Sequence, residues 1–194
     1  MTATVATAIW VAGIIAWTVI QWPHRRVARD TESVADERGN MEKTALGLTI
    51  VGLVVLPTIH LATGLFGFAN TAFWPGAAWY GLIAMVACLY LFYRSHKDLA
   101  GNGSGSLEIH KEPKLVDTGV YSTIRHPMYT SFWLWGIAQY LLIPNWIVGL
   151  SGLISVAFLY FSRIGEEERM MHQQFGEAYE DYCDKTYRLL PKLF

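Results

Sequence analysis

The sequence is poor in charged residues and has no excess of either sign. Only 16% of its 194 residues are charged, and 15 Lys and Arg almost balance 16 Asp and Glu. Proteins that bind nucleic acid carry clusters of basic residues, and no cluster here strongly outnumbers the acids around it. The charge pattern therefore excludes nucleic-acid binding.

Several motifs of enzyme chemistry are also missing. The sequence has no Cys and His cluster with the spacing of metal ligands, no glycine-rich phosphate loop and no serine-nucleophile elbow. These absences leave metal catalysis and nucleotide-triphosphate chemistry without support. We predict no bound metal.

Long apolar runs dominate what remains. Hydrophobic residues make up 53% of the chain, and three tracts contain no Asp, Glu, Lys or Arg: 1–24, 44–93 and 126–162. A membrane-crossing helix needs roughly 20 mostly apolar residues, so the first tract fits one span and the others two each. We predict an all-α, polytopic membrane protein that forms one domain over residues 1–194. The five predicted spans lie near residues 3–22, 45–68, 76–92, 128–143 and 146–162.

The placement of charge predicts the orientation. Every Lys and Arg falls in segments that five spans would place on one face, which the positive-inside rule assigns to the cytosol, with the amino terminus outside. The first apolar segment is followed rather than preceded by arginines, so we expect it to remain as a helix. Cys88 in a span and Cys183 in the tail cannot both face an oxidising compartment, and we expect free thiols.

The charged segments before the fourth span contain both connectors and one candidate ligand site. Residues 23–43 mix both signs, which is typical of a solvated connector, and the Gly and Ser run at 101–106 indicates a flexible loop. Proline is favoured in the first turn of a helix, so Pro127 predicts the start of the fourth span with His126 at its cap. The free amides there would suit an anion, although Arg-His-Pro alone is more typical of capping and anchoring.

The segment after the fifth span continues as a helix. Arg163 and Glu167, four residues apart, share one helical face where the chain leaves the membrane, so they either pair or face a ligand together. Phe175, Tyr179 and Tyr182 also have helical spacing. Their spacing favours docking of a tail helix on the membrane surface over cofactor binding.

A bipartite motif joins these segments. It consists of Leu115-Val116-x-x-Gly119-x-Tyr121-x-x-x-Arg125-His126-Pro127-x-Tyr129, a two-span hairpin, Arg163-x-x-Glu166-Glu167-Glu168, and Phe175-Gly176-x-x-Tyr179-x-x-Tyr182. The arrangement resembles the isoprenylcysteine carboxyl methyltransferase family, whose wider superfamily includes phospholipid N-methyltransferases. The resemblance covers the C-terminal part of the chain.

The resemblance implies methyl transfer from S-adenosyl-L-methionine to a lipophilic acceptor at the cytosolic interface, with S-adenosyl-L-homocysteine as the product. It implies a cofactor pocket built from segments 107–129 and 163–191. The implied cofactor-binding residues are Pro113, Lys114, Leu115, Val116, Tyr121, His126, Pro127, Met128, Tyr129 and Glu167. Arg163 would bind the acceptor and act in catalysis. In this interpretation the amides near His126 suit the cofactor carboxylate and Glu167 its ammonium.

Three functions stay open at this point. Methyl esterification of a prenylated cysteine or a similar lipophilic acid is favoured, because a carboxylate is ionised at neutral pH and needs no general base. Methylation of an amino head group such as phosphatidylethanolamine would need a base and would place Arg163 beside a cation. A transporter or non-enzymatic membrane protein would be supported by charges within the spans or repeated halves, and the sequence has neither. The expected partners are the bilayer and the lipophilic substrate.

Overall fold

The structure is a computed structural model that describes residues 1–32, 40–99 and 114–190. Its helices are α1 (Ala3–Glu32), α2 (Asn40–Ile50), α3 (Leu56–Thr63), α4 (Pro75–Leu99), α5 (Pro127–Leu142), α6 (Trp146–Phe175) and α7 (Glu177–Lys185). A π-helical segment, Val51–Val55, joins α2 to α3, and short 3-10 helices lie at Gly67–Ala69 and Gly119–Ser122. Across the described ranges the β structure is limited to two isolated bridges. The all-α prediction is confirmed.

Four helical stretches among the described residues are long and apolar enough to cross a membrane. They are Ala3–Pro23, Met41–Thr63, Pro75–Leu99 and Trp146–Phe175. The remaining predicted span corresponds to α5, which has 16 residues. At 1.5 Å per residue α5 is roughly 24 Å long, shorter than a hydrocarbon core of about 30 Å. Four of the five predicted spans are therefore candidate spans, and α5 falls short by length.

Helix α5 forms the centre of the bundle, packed between α4 and α6. Its buried residues include Trp135, Ala138 and Leu142, as expected for a helix that is apolar on most of its faces. Close approach depends on small residues, because a Cβ at Gly81 of α4 would lie only 2.9 Å from Cγ of Leu142. The short helix is thus shielded by its neighbours.

One end of the bundle is held by two asparagines, which we call the asparagine joint. Asn145 caps α6 by accepting a hydrogen bond from the Val148 amide at 3.0 Å. Its side-chain amide donates to the Phe66 carbonyl at 2.8 Å and to Oδ1 of Asn70 at 2.9 Å. The joint fixes the α5–α6 turn against the loop after α3 without any charged group.

The π-helical segment is held by polar side chains of the neighbouring helices. Nε2 of Gln139 donates to the carbonyls of Gly52 at 3.0 Å and Val148 at 2.7 Å. The Ser151 hydroxyl also donates to the Gly52 carbonyl, at 2.9 Å. These bonds satisfy a backbone carbonyl in the apolar interior, where an unpaired one would be costly.

Candidate functional site

The end of the bundle opposite the asparagine joint begins with a turn anchored to α4. The Asp98 carboxylate accepts a hydrogen bond from the Val120 amide at 2.9 Å, and the Tyr121 hydroxyl lies 3.5 Å from the Ser95 carbonyl. Gly119 has a φ of 62°, and a Cβ there would overlap the Asp98 carboxylate. Only glycine fits both the backbone conformation and the close approach. The turn is thereby fixed against the end of α4.

Residues 187–189, which we call the C-terminal strap, run beside the start of α5. The amide of Arg125 donates to the Tyr187 carbonyl at 2.8 Å, and the amide of His126 donates to the Arg188 carbonyl at 3.1 Å. The amides near His126 were expected to suit a ligand carboxylate; for the His126 amide itself this expectation is wrong, because the strap already accepts its hydrogen bond. The role of this closing stretch, open from the sequence, includes covering these amides.

The imidazole of His126 lies between two adjacent carboxylates. Its Nδ1 is 3.8 Å from Oε2 of Glu167, and its Nε2 is 3.4 Å from Oε1 of Glu168. Nε2 is buried and makes no hydrogen bond of good geometry. Among the described residues, no group of three or more His, Cys, Asp or Glu is arranged to hold a metal ion.

Glu168 links α6 to the strap. It accepts hydrogen bonds from both Nε and Nη2 of Arg188, the first at 2.9 Å, and this pairing raises the pKa of Arg188 above its ordinary value. Nε of Arg125 is 3.7 Å from the same carboxylate. The Arg125 Nη1 donates to the carbonyls of Cys183 at 3.1 Å and Thr186 at 2.5 Å. Glu168, Arg125 and Arg188 thus tie α5, α6 and the strap into one unit.

A second charged cluster lies one turn closer to the apolar part of α6. The Tyr129 hydroxyl donates to Oε1 of Glu167 at 2.6 Å, and Nη2 of Arg163 lies 2.9 Å from the same oxygen. Nη1 of Arg163 lies 3.1 Å from Oε1 of Glu42. Arg163 and Glu167 therefore pair with each other, which is one of the two predicted arrangements. Glu42 is in the first turn of α2, so the expected solvated connector over residues 23–43 is wrong at this position.

A cavity of about 450 Å³ lies beside these clusters. Five of the predicted cofactor residues line it: Lys114, Val116, Tyr121, His126 and Glu167. Four others do not line it: Leu115, Pro127, Met128 and Tyr129. Tyr129 nevertheless contacts the site, because its hydroxyl donates a hydrogen bond to Glu167. Pro113 lies outside the described residues. Arg163 does not line this cavity.

Several lining residues were not predicted. They include Arg125, Met170, Met171, Phe175, Tyr179 and Tyr182. Tyr179 and Tyr182 are buried, and the Tyr182 hydroxyl donates to the Tyr121 carbonyl at 2.6 Å. The expectation that these aromatics dock the tail on the membrane surface is wrong, because α7 turns back at Gly176 and packs against the cavity. Two features of the sequence could have indicated these lining residues: the helical spacing of the aromatic residues and the presence of Arg125 in the motif.

Burial controls the protonation of the tyrosines in this wall. Desolvation, with a smaller contribution from the Asp98 carboxylate, raises the pKa of Tyr121 to about 12. Burial also raises the pKa of Tyr182. Both phenols remain neutral hydrogen-bond donors at physiological pH.

A second cavity, of about 160 Å³ and almost entirely apolar, lies among α1, α2, α5 and α6. Its lining residues include Trp17, Leu46, Leu53, Phe132, Trp135 and Leu159. Leu46 is one helical turn after Glu42, and Leu159 is one turn before Arg163. The Glu42–Arg163 ion pair therefore lies about one helical turn from two lining residues, although neither Glu42 nor Arg163 lines the cavity itself. Both cysteines are free, as expected from the sequence.

Residues 81–173 match the model of the isoprenylcysteine carboxyl methyltransferase (ICMT) family. The chain is 32% identical over 87 residues to a protein of Oryza sativa subsp. indica named "Probable protein-S-isoprenylcysteine O-methyltransferase", covering 44% of this chain and 46% of that one. It is 35% identical over 77 residues to the Homo sapiens protein-S-isoprenylcysteine O-methyltransferase, covering 40% and 27%. The corresponding Dictyostelium discoideum enzyme is 31% identical over 121 residues, covering 58% and 48%.

These matches span less than half the length of each relative. The family match over residues 81–173 includes the parts of the motif around His126 and Glu167, and it ends before Phe175. Residues 81–173 are thus similar to the isoprenylcysteine carboxyl methyltransferase family, which is the family that the bipartite motif resembles.

Proposed function

We propose that this protein transfers a methyl group from S-adenosyl-L-methionine to the carboxylate of a lipophilic acceptor, with a prenylated cysteine as the acceptor. The observation that supports it best is the position of Glu167. This carboxylate lines the larger cavity and pairs with Arg163, which lies one helical turn after Leu159, a lining residue of the apolar cavity. A transferase that joins a water-soluble donor to a lipid needs two such spaces on either side of one cluster.

The larger cavity fits the proposed donor in size and chemistry. Its volume of about 450 Å³ is within the range of roughly 300 to 1,000 Å³ of small-molecule sites. S-adenosylmethionine has a carboxylate, an ammonium and a flat adenine ring. Lys114 would attract the carboxylate, Glu167 would accept from the ammonium, and the Phe175 and Tyr121 rings offer apolar surfaces to the adenine. When bound, the cofactor supplies a methyl group activated by its sulfonium.

The residues of the chain would act by holding groups in place. Tyr129 and Arg163 fix the Glu167 carboxylate from two directions, which orients it toward the cavity. An acceptor carboxylate is already ionised at neutral pH and needs no base. Arg163 would align it with the methyl group, and the apolar walls would exclude water, so that alignment provides most of the rate.

One observation favours a second candidate, methylation of an amino head group. Glu42 adds another carboxylate beside Arg163, and this negative charge would attract a cationic acceptor. Glu42 or Glu167 would also be available as the base that N-methylation needs. The relatives are named for carboxyl methylation, so we place the acid acceptor first.

For the membrane topology we propose five crossings, with α5 as a short one shielded by α4 and α6. Its two ends lie at the charged clusters and at the asparagine joint, so it reaches from one end of the bundle to the other despite its length. The charged face would then be cytosolic and Met1 outside. Tags at Met1 or within residues 70–75 should be labelled on intact cells, and a tag at Phe194 only after permeabilisation. Labelling of Phe194 on intact cells would reject five crossings.

The function is tested by product identification. Detergent-purified protein would be incubated with methyl-labelled S-adenosylmethionine and, separately, farnesylcysteine, phosphatidylethanolamine or a native lipid extract. We expect a labelled farnesylcysteine product that releases methanol in base, as a methyl ester does. Base-stable label in the phospholipid would support the amino acceptor, and no cofactor binding would reject both transferases.

A further inference from the structure

The guanidinium of Arg163 is engaged by a carboxylate on each of its two terminal nitrogens. Nη2 pairs with Glu167 at 2.9 Å, and Nη1 pairs with Glu42 at 3.1 Å. The side chains of Arg163 and Glu42 are 26% and 28% exposed. An acceptor carboxylate that binds Arg163 must therefore share this guanidinium with one of these residues or replace it.

The two carboxylates are not held equally. Glu167 lies within the long helix α6 and also accepts a hydrogen bond from the Tyr129 hydroxyl at 2.6 Å. Glu42 lies in the first turn of α2, where helix ends fray more easily than helix interiors. Of the two, Glu42 can move away from Arg163 with less disruption.

The apolar cavity leads to the same place. Leu46 and Leu159, which line it, lie one turn from Glu42 and Arg163 respectively. A molecule with its apolar tail among Leu46, Phe132 and Leu159 would bring its head group to the Glu42–Arg163 pair. The carboxylate of Glu42 already occupies the position beside Arg163 that this head group would take.

We propose that Glu42 is a specificity gate. In the free protein its carboxylate pairs with Nη1 of Arg163, and the acceptor carboxylate takes this position when it binds. This inference rests on the proposed function, since it takes Arg163 as the anchor of an acid acceptor. An incoming acid exchanges one carboxylate for another, so the charge beside Arg163 is conserved. A neutral lipid with the same tail cannot replace Glu42, because it would leave the guanidinium short of a negative partner.

The gate has a measurable cost for acceptor binding. An acid must displace Glu42, and the two negative charges repel each other while both are near Arg163. Partly exposed ion pairs change an equilibrium by up to about fivefold. Replacing Glu42 by Gln should therefore strengthen the binding of an acid acceptor by about fivefold and leave a neutral analogue unaffected.

The experiment measures binding without chemistry. Calorimetry on purified wild type and Glu42→Gln, without cofactor, would use N-acetyl-S-farnesylcysteine, its primary amide and farnesylamine as acid, neutral and cationic ligands. The control is Glu166→Gln, which removes a carboxylate from the exposed Glu166–Arg169 pair. We expect about fivefold tighter acid binding in Glu42→Gln alone, with amide binding unchanged. Unchanged S-adenosylmethionine affinity verifies that the variant is folded.

Other outcomes overturn the gate. Acid binding that is unchanged or weaker in Glu42→Gln would mean that Glu42 does not compete for Arg163. Equal gains for acid and amide would indicate a change in cavity shape, and weaker farnesylamine binding without tighter acid binding would make Glu42 a cation site. Methyl transfer is assayed separately. Tighter acid binding without a methyl ester product leaves the gate standing and rejects the proposed function, and the reverse result rejects the gate alone.

Discussion

The two ends of the α5–α6 hairpin are held by different chemistry. At the asparagine joint every named contact is a neutral hydrogen bond among Asn70, Asn145 and nearby backbone groups. At the other end Arg163 forms an ion pair with Glu167 on the same helix, and Glu168 forms one with Arg188 of the strap. Neutral hydrogen bonds fix the geometry and attract ions only weakly, whereas charged side chains create an electrostatic potential that can attract a charged ligand. The comparison predicts that changes at the charged end alter ligand handling and changes at the joint alter stability.

The largest effect is expected from Arg163→Lys. An ammonium keeps the charge but cannot reproduce the planar fork that contacts Glu42 and Glu167, so an acceptor carboxylate would be misaligned. We expect methyl transfer to farnesylcysteine to fall roughly hundredfold, as small misplacements at reacting centres do. Binding of S-adenosylmethionine, measured by calorimetry, should stay near the wild-type value.

Arg169→Lys is the matched control, because Arg169 forms an exposed pair with Glu166 on the same helix. It should keep normal transfer. If Arg163→Lys is fully active, Arg163 is only a helix anchor. If its cofactor affinity falls in step with turnover, Arg163 belongs to the cofactor site instead.

Glu167→Gln should weaken cofactor binding directly. A charge-assisted hydrogen bond contributes about 1.5 to 3 kcal/mol, so the loss of the carboxylate should lower the affinity for S-adenosylmethionine more than tenfold. Calorimetry on the folded variant is the measurement, with Glu166→Gln as the control. Wild-type affinity in Glu167→Gln would remove Glu167 from the pocket.

Asn145→Ala tests the neutral joint. It removes the cap on the Val148 amide and two donated bonds, and we expect a loss of about 2 kcal/mol in unfolding free energy in detergent. Cofactor affinity should not change. Asn145→Asp keeps an acceptor for the cap but loses the donors, so it should be intermediate. A large loss of cofactor affinity in a stable Asn145→Ala protein would contradict the division between the two ends.

The smallest effect is expected for Tyr121, whose pKa burial raises to about 12. A raised pKa in the folded state stabilises the protein below the ordinary value of about 10, and that contribution is lost as the pH rises toward 12. Wild type should therefore lose more unfolding free energy than Tyr121→Phe between pH 10 and 12. Equal losses would show that the Tyr121 phenol is hydrated in the folded state.

Local chemistry made part of this structure predictable. Pro127 begins α5 as expected, because a proline suits the first turn whatever lies around it. Helix α6 runs unbroken through Arg163 and Glu167, so their spacing placed them side by side. The π-helical segment Val51–Val55 was not predicted, since its apolar sequence is equally compatible with a regular helix.

Contacts between distant segments were the part that the sequence did not reveal. Glu42 stands in a segment of mixed charge, and nothing in its neighbours indicates that it meets Arg163. The strap likewise accepts a hydrogen bond from the amide of His126. This pairing depends on how the chain turns back through α7, and no local sequence pattern indicates it. The motifs therefore indicated where the candidate site lies, whereas the contacts of Glu42 and of the strap with that site could be seen only in the folded structure.

The C-terminal strap has a consequence for how the protein is made. The ribosome completes α5 and α6 well before residues 187–189 emerge, yet those residues supply the carbonyls that accept from Arg125 and His126. Until then the start of α5 can bond only to water, and the cavity lacks the wall that Tyr179 and Tyr182 provide. The site can therefore be completed only after residues 187–189 have been made, later than Arg125, His126 and the helices α5 and α6.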